Sequence, residues 1–278
     1  MYEPNTTSLA HAMTLDFSLP VMMDSGFTAE DLAEDAFGMQ INFPRIKIPG
    51  GGGLAFEIPQ GDATQPLIAQ TIQGVIVYHH PMNTYWAQGK DDKNAPPNCA
   101  SYDGLMGSGN PGVVCKDCAH NQWGTGKEGN GKACKNGFSL YLLRGGEFLP
   151  VHIQLPPTSI KSFSDFITSF QARQRPAFAS LVEIGLRKCT NGGGDDYSVA
   201  TFKLIRDFAD SELSSIMSYA RGMRAQIKAM NEQRTSSNLE RQFGDTAYPA
   251  SGYGEVMDYP GPHYSDLDYP GEDEELLY

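Results

Sequence analysis

The segment from residue 98 to residue 137 reads NCASYDGLMGSGNPGVVCKDCAHNQWGTGKEGNGKACKNG and holds four of the five cysteines of the chain. Cys99, Cys115, Cys118 and Cys134 follow the spacing C-x15-C-x2-C-x15-C, and the segment contains nine glycines. With so few apolar side chains it cannot form a core of its own and needs a cross-link. Four thiolates around one Zn2+ would provide one. The spacing therefore predicts a zinc site, with buried or disulfide-paired cysteines as the alternative.

The composition favours a reducing compartment, in which thiols can bind a metal. The first 44 residues contain no Lys or Arg, so the basic start of a secretory signal is missing. The chain also lacks a run of about 18 apolar residues that could span a membrane. We therefore expect a cytoplasmic protein with no membrane partner.

The charges divide the chain into a basic middle and two acidic ends. All 21 Lys and Arg residues lie between Arg45 and Arg241, whereas residues 1–44 carry seven acids and residues 244–278 carry nine. The middle keeps 17 of the 33 acids and has a net charge of about +4. This division is typical of a body that binds an anion, with ends that keep it soluble or compete for the site. A chance unevenness of a solvated surface is the alternative.

Runs of β-branched and aromatic residues between Gly and Pro predict a mainly β fold. The strongest is Ile72-Gln-Gly-Val-Ile-Val-Tyr-His-His, which we expect Pro81 to end. Two pairs of strands follow, and a short helix with Ile160 and Phe163 on its apolar face separates them. The predicted strand pairs are 138–144 with 149–155, and 181–188 with 197–204. Because no βαβ rhythm is present, we predict an α+β, mainly β domain, for which the oligonucleotide-binding (OB) barrel fits best.

These patterns set the expected domain boundaries. Residues 1–39 are predicted to form an arm and a short acidic helix, and residues 40–208 an OB-like core with the zinc insertion 98–137. A C-terminal helix over residues 209–234 is predicted by an apolar stripe of Leu213, Ile216, Met217, Ala220, Met223, Ile227 and Met230. Residues 235–278, rich in acids, Pro and Gly, are predicted to be a disordered acidic tail.

Aromatic rings among basic residues indicate single-stranded nucleic acid as the bound anion. Open basic grooves lined with rings bind such strands by stacking on the bases and by contacts to the phosphates. Rings buried in the core or in strand pairs are the alternative. The predicted DNA contacts are Tyr78, Tyr85, Trp86, Lys90, Lys93, Trp123, Lys127, Lys132, Lys135, Tyr141 and Arg144.

Several motifs of the cysteine segment resemble a cysteine-bearing family of phages and mobile elements. They are Pro97-Asn-Cys-Ala-Ser-Tyr-Asp-Gly, Cys115-Lys-Asp-Cys, Asn121-Gln-Trp-Gly and Gly129-Asn-Gly-Lys-Ala-Cys-Lys-Asn, followed by Leu140-Tyr-Leu-Leu. The resemblance covers about residues 65–205. It implies single-stranded DNA binding during phage replication or recombination, in the host cytoplasm.

The acidic end Gly271-Glu-Asp-Glu-Glu-Leu-Leu-Tyr is similar to the ends of phage and bacterial single-stranded DNA-binding proteins, although phenylalanine usually stands last there. This similarity implies that replication or recombination proteins bind the last residues. The tail also repeats Asp-Tyr-Pro-Gly at Asp258 and Asp268, so its acids and rings imitate a nucleic-acid strand. We expect it to compete for the DNA groove. The predicted partner contacts are Glu274, Glu275, Leu276, Leu277 and Tyr278.

Two other functional classes stay open at this point. A zinc-dependent transcription or recombination accessory protein would read duplex DNA with the cysteine segment. A virion or scaffold protein would bind no DNA, and homo-oligomers are compatible with every class. We predict no enzyme, because no catalytic constellation of Ser, His and Asp or of paired carboxylates recurs in the sequence.

Overall fold

The computed structural model describes residues 17–18, 34–35, 42–59, 65–87, 96–129 and 131–243, with the side chains of the last helix described as far as Thr235. The strands are β1 (Arg45–Lys47), β2 (Phe56–Ile58), β3 (Leu67–Ala69), β4 (Ile72–Tyr85), β5 (Cys99–Ser101), β6 (Ser108–Gly109), β7 (Lys135–Leu143), β8 (Val151–Leu155), β9 (Ser180–Thr190) and β10 (Asp196–Asp207). Two long helices are α1 (Pro157–Ala172) and α2 (Asp210–Phe243). Short 3-10 helices cover Ala119–Asn121, Lys127–Gly129 and Ala177–Ala179. The predicted mainly β, α+β class is confirmed.

Strand β4 is the centre of the fold because it pairs with three other strands. Its first three residues pair with β9, the stretch from Val75 to Thr84 pairs with β7, and its last three residues pair with β5, all antiparallel. The pairing partner of β4 changes from β9 to β7 after Gly74. A Cβ atom on Gly74 would lie 2.5 Å from the carbonyl oxygen of Leu143. Glycine thus allows β7 and β9 to converge on β4, and the sheet curls at this point.

The sequence-based prediction that Pro81 ends this strand was wrong. Pro81 pairs with Phe138 of β7, and β4 continues to Tyr85. No described strand pairs with the other edge of β4 between Val75 and Met82. The missing N–H of proline can therefore face an unpaired edge without the loss of a ladder hydrogen bond.

The remaining strands extend the curled sheet in two directions. The main sheet has the order β1-β8-β7-β4-β5-β6, and β9 joins it through β4 and carries β10. The pairs β7–β8 and β9–β10 are the two predicted strand pairs, and α1 connects them as predicted. β1 pairs parallel with β8, while β2 and β3 form a separate two-stranded sheet.

Two hydrophobic cores lie on opposite faces of β4. Ile72 and Ile76 face the first core, which includes Phe163 and Phe170 of α1. Val75 and Val77 face the second core, because neighbouring side chains of a strand point to opposite faces. The second core is completed by α2, through Ile216, Ala220, Met223 and Ile227.

Helix α2 begins at Asp210 but ends at Phe243, beyond the predicted end at residue 234. Residues 235–243, expected to start the disordered tail, are therefore helical. The predicted arm 1–39, apart from residues 17–18 and 34–35, and the tail 244–278 lie outside the described residues. In the described ranges, no helix is long and apolar enough to cross a membrane.

Candidate metal centre and nucleic-acid interface

The cysteine insertion, here named the cysteine module (residues 96–134), joins β4 to β7. Pairing fixes both of its ends, since Tyr85 pairs with Cys99 of β5 and Thr84 pairs with Lys135 of β7. Cys99 and Cys134 are therefore held near each other at the end of β4. The other two cysteines come from a turn in which the Cys118 N–H donates to the Cys115 carbonyl oxygen at 3.4 Å.

All four predicted metal ligands line one small cavity of about 10 Å³. That volume holds about one water-sized atom or ion. Each of the five cysteines is a free thiol, so the disulfide alternative does not describe this structure. Cys115 and Cys134 are buried, and Cys99 and Cys118 are half-buried. The spacing read from the sequence thus corresponds to four thiols around one enclosed space.

Electrostatics around the cavity disfavour four thiolates without a cation. Burial, followed by the charges of the other three cysteines, raises the pKa of Cys134 to about 12. Burial likewise raises the pKa of Cys99, although hydrogen bonds from the backbone N–H groups of Gly112 and Ser108 oppose this rise. A divalent cation reverses the balance, because it neutralises the thiolates it binds. The backbone donors suit a bound thiolate.

Hydrogen bonds between asparagine side chains brace the cavity. Asn136 Nδ2 donates to Asn121 Oδ1 at 2.9 Å and also to Asn83 Oδ1, which links β7, the 3-10 helix and β4. Asn121 Nδ2 in turn donates to the Cys115 carbonyl oxygen at 2.8 Å. Such outer partners orient metal ligands. Gly107 leaves room for a ligand, since a Cβ atom there would lie 2.8 Å from Cys99 Sγ.

The cysteines line the cavity without closed metal-ligand geometry. Among the described residues, no group of three or more His, Cys, Asp or Glu side chains is arranged to hold a metal ion as it stands. As an indication of a metal site, the shared cavity outweighs the missing ligand geometry. Uncharged thiols do not attract one another, so nothing would draw their sulfur atoms to metal-ligand distances. The residue types fit Zn2+, which prefers sulfur and nitrogen ligands.

Three aromatic rings lie at the surface where β4 meets the cysteine module. We name Tyr85, His120 and Trp123 the open ring cluster. The rings of Tyr85 and His120 stack with centroids 4.1 Å apart and planes 13° apart, and both residues are half-buried. Trp123 is 63% exposed. Trp123 is therefore the most accessible ring of this cluster.

Basic residues accompany these rings. Lys132 Nζ lies 5.8 Å from the centroid of the Trp123 ring and donates to Asn136 Oδ1 at 3.0 Å. Lys127 is exposed, and Lys135 and Trp86 are half-buried. Of the predicted contacts, Tyr85 and Lys135 lie on neighbouring strands at the end of β4, and Lys132 lies beside both Trp123 and Asn136. The predicted contacts Lys90 and Lys93, and the partner contacts 274–278, lie outside the described residues.

A second set of predicted contacts lies under α2. We name Tyr78, His80, Tyr141 and His152 the covered ring cluster. Tyr141 is only 5% exposed and stacks on His152, with centroids 5.0 Å apart. Tyr78 is half-buried, and the Arg224 guanidinium of α2 lies 5.7 Å from its ring centroid. The remaining predicted contact, Arg144, pairs with Glu147 at 3.2 Å.

His79 and His80 point to opposite faces of β4, because neighbouring side chains of a strand alternate between its faces. His80 is 7% exposed and contacts Asn231 Nδ2 of α2 at 3.2 Å through its Nε2 atom. His79 packs on the other face, with its ring 5.0 Å from that of Phe163. Burial lowers the pKa of His79 to about 4. Both histidines are therefore neutral packing residues.

The stacking role of His120 and the hydrogen bonds between the asparagine side chains were not predicted from the sequence. His120 follows Cys118 by two residues, and this proximity to a predicted ligand is the signal that would have identified it. The asparagines come from three separate stretches, so no local pattern connects them.

Comparison with known proteins adds no relative. The chain matched none of the protein-family models, curated proteins or solved structures with which it was compared.

Proposed function

We propose that the protein binds single-stranded DNA, without strong sequence preference, through an OB-like barrel that carries a zinc-binding loop. The strand order supports the OB interpretation. β4, β7 and β8 form a meander, α1 follows, and the β9–β10 hairpin returns to pair with β4. In OB barrels, the loop between the first two strands takes part in binding oligonucleotides. Here the cysteine module is that loop.

The observation that carries the proposal is the open ring cluster in this loop. Stacked Tyr85 and His120 and the exposed Trp123 offer faces to bases, and lysines of the cysteine module can contact phosphates. Stacking on a ring contributes about 1 to 3 kcal/mol per base and depends little on sequence. The resemblance to the phage and mobile-element family agrees with this function and implies a role in DNA replication or recombination in the host cytoplasm.

We propose that one structural Zn2+ is held by Cys99, Cys115, Cys118 and Cys134. Four protein ligands leave no open position for a catalytic water. Bound there, the ion would cross-link the cysteine module and neutralise the charge of the four thiolates. Its function is to fix the loop that carries His120 and Trp123.

The acidic tail acts in this proposal as a competitor of DNA. Residues 244–278 carry nine acids and no Lys or Arg, and they would occupy the basic surface until DNA displaces them. The terminal residues Glu274 to Tyr278 would then bind a replication or recombination protein. Deletion of residues 244–278 should tighten single-strand binding at low salt, and the difference should shrink as salt rises. Equal affinities at low salt would remove the competition.

Fluorescence anisotropy with labelled single-stranded DNA, duplex DNA and RNA, at a low and a high salt concentration, tests the main proposal. We expect the tightest binding to single-stranded DNA and weaker binding at high salt. Binding to duplex alone would favour the accessory-protein alternative. The absence of binding to all three nucleic acids would contradict the proposal and favour a virion or scaffold role.

A further inference from the structure

A groove of about 480 Å³ lies on the outer side of the cysteine module. Its walls include Pro111, Val113, Val114, Ala119 and His120, with Asp117 as a charged group. The volume falls in the range of small-molecule sites and is large enough for one nucleobase. Cys118 also lines the groove, so its shape depends on the cysteine turn.

The apolar wall of the groove is exposed and held in place by the backbone. Val113 is 43% exposed and Val114 is 45% exposed. The Gly107 N–H donates to the Val113 carbonyl oxygen at 2.9 Å, and Val114 forms a β-bridge with Met106. These bonds prevent the two valines from turning inward. Exposed apolar groups that line a groove mark a binding surface more often than valines scattered over a surface do.

The groove also contains a ring that is already positioned. One face of the His120 ring stacks on Tyr85, and His120 is also one of the residues that line the groove. Its backbone carbonyl oxygen accepts hydrogen bonds from the Cys134 N–H at 2.8 Å and from Thr125 Oγ1 at 3.1 Å. A base in the groove would extend a two-ring stack without ordering a mobile side chain.

Asp117 indicates whether a base or a phosphate of the DNA strand enters the groove. A carboxylate repels phosphate but accepts hydrogen bonds from an exocyclic amino group, as Asp and Glu do from cytosine N4. We propose that the groove holds one unpaired base with an exocyclic amino group, of which cytosine is the smallest, packed against His120 and hydrogen-bonded to Asp117. This inference rests on the proposed single-strand binding and adds one position of base preference to it.

The test compares the affinities for oligo(dC) and oligo(dT) of equal length. The wild-type protein should bind oligo(dC) on the order of fivefold more tightly, because thymine has no exocyclic amino group to donate. Asp117→Ala should abolish this ratio, whatever the general effect of removing a negative charge. Asp165→Ala is the matched control, since Asp165 is an exposed acid of α1, and it should keep the ratio.

A second variant tests the stack. His120→Ala should weaken binding to both strands on the order of tenfold, with circular dichroism confirming that the variant folds. Equal wild-type affinities for the two strands, or an unchanged ratio in Asp117→Ala, would overturn the cytosine site while single-strand binding stands. A wild-type protein that binds neither strand would remove the proposed function itself.

Discussion

The open and the covered ring clusters contain similar residues but differ in what lies over them. Both combine tyrosine and histidine rings with nearby basic groups, and both contain residues that the sequence indicates as DNA contacts. Tyr141 is 5% exposed within the second hydrophobic core, which α2 completes, whereas Trp123 of the cysteine module is 63% exposed. An aromatic residue among basic residues is therefore no guide to binding until the elements that cover it are known.

The two clusters also depend on different forces. The covered cluster is held by the second hydrophobic core and by Asn231, which contacts His80 and donates to the Tyr102 carbonyl oxygen at 3.1 Å. The open cluster lies on a glycine-rich loop whose order we ascribe to the cysteine cavity and the asparagine hydrogen bonds. Changes to the metal should therefore affect binding, and changes to α2 should affect stability.

The largest expected effect comes from Cys134→Ser. Loss of one buried ligand should reduce the metal content from one Zn2+ per chain to none and weaken single-strand binding on the order of 100-fold, since two stacking contacts would be lost. Elemental analysis and anisotropy measure both effects. Cys189→Ser is the matched control, because Cys189 lies on β9, away from the cavity. A wild-type protein purified without chelators and free of zinc would contradict the metal centre.

Ile227→Ala should act on the covered cluster instead. Ile227 is 1% exposed in the core beneath α2, so its truncation should lower the free energy of unfolding by about 3 kcal/mol. Denaturant titration measures this loss, with the exposed Ser218→Ala of the same helix as control. The affinity of the folded variant for single-stranded DNA should stay unchanged. Tighter binding would show that α2 blocks a second DNA surface.

Low pH should also destabilise the covered cluster. The His152 ring is partly accessible, but its Nε2 atom is buried without a hydrogen-bond partner, so the proton must enter an enclosed position. Burial, with the nearby Arg45 charge, lowers the pKa of His152 from 6.5 to about 3. As the pH falls, His152 is therefore protonated in the unfolded chain before it is protonated in the folded chain. The free energy of unfolding is largest above pH 6.5 and decreases as the pH falls below that value.

Protonation of His152 alone should lower the free energy of unfolding by about 2 kcal/mol between about pH 7 and pH 5. His152→Gln should remove that part of the pH dependence of the free energy of unfolding. Identical pH profiles for the wild type and the variant would show that His152 does not titrate as the burial implies.

The smallest expected effect separates the two clusters directly. Trp123→Ala should weaken single-strand binding on the order of tenfold, with an unchanged melting temperature, because the ring is exposed. Tyr141→Leu should lower the melting temperature and leave the affinity unchanged. Ile205→Ala, an exposed apolar residue of β10, is the control for Trp123. The opposite pattern would reverse the roles assigned to the clusters.

The sequence predicted the elements whose signals are local. The strands β7 to β10 and the α1 helix follow from alternation, turns and helical spacing, and the buried stripe of α2 includes the predicted Ile216, Ala220, Met223 and Ile227. Cysteine spacing led to four thiols around one cavity. The covering of Tyr141 by α2, the passage of β4 through Pro81 and the asparagine hydrogen bonds depend on contacts between distant residues, which local patterns do not reveal.

Ultraviolet cross-linking of the full chain to a short thymidine strand, followed by mass spectrometry of the linked peptides, tests whether the open ring cluster holds the bound DNA. We expect the cross-links to fall on Tyr85, His120 or Trp123, and excess unlabelled single-stranded DNA to remove them. Cross-links confined to Tyr78 and Tyr141, or a bound strand with no link to Tyr85, His120 or Trp123, would contradict this assignment.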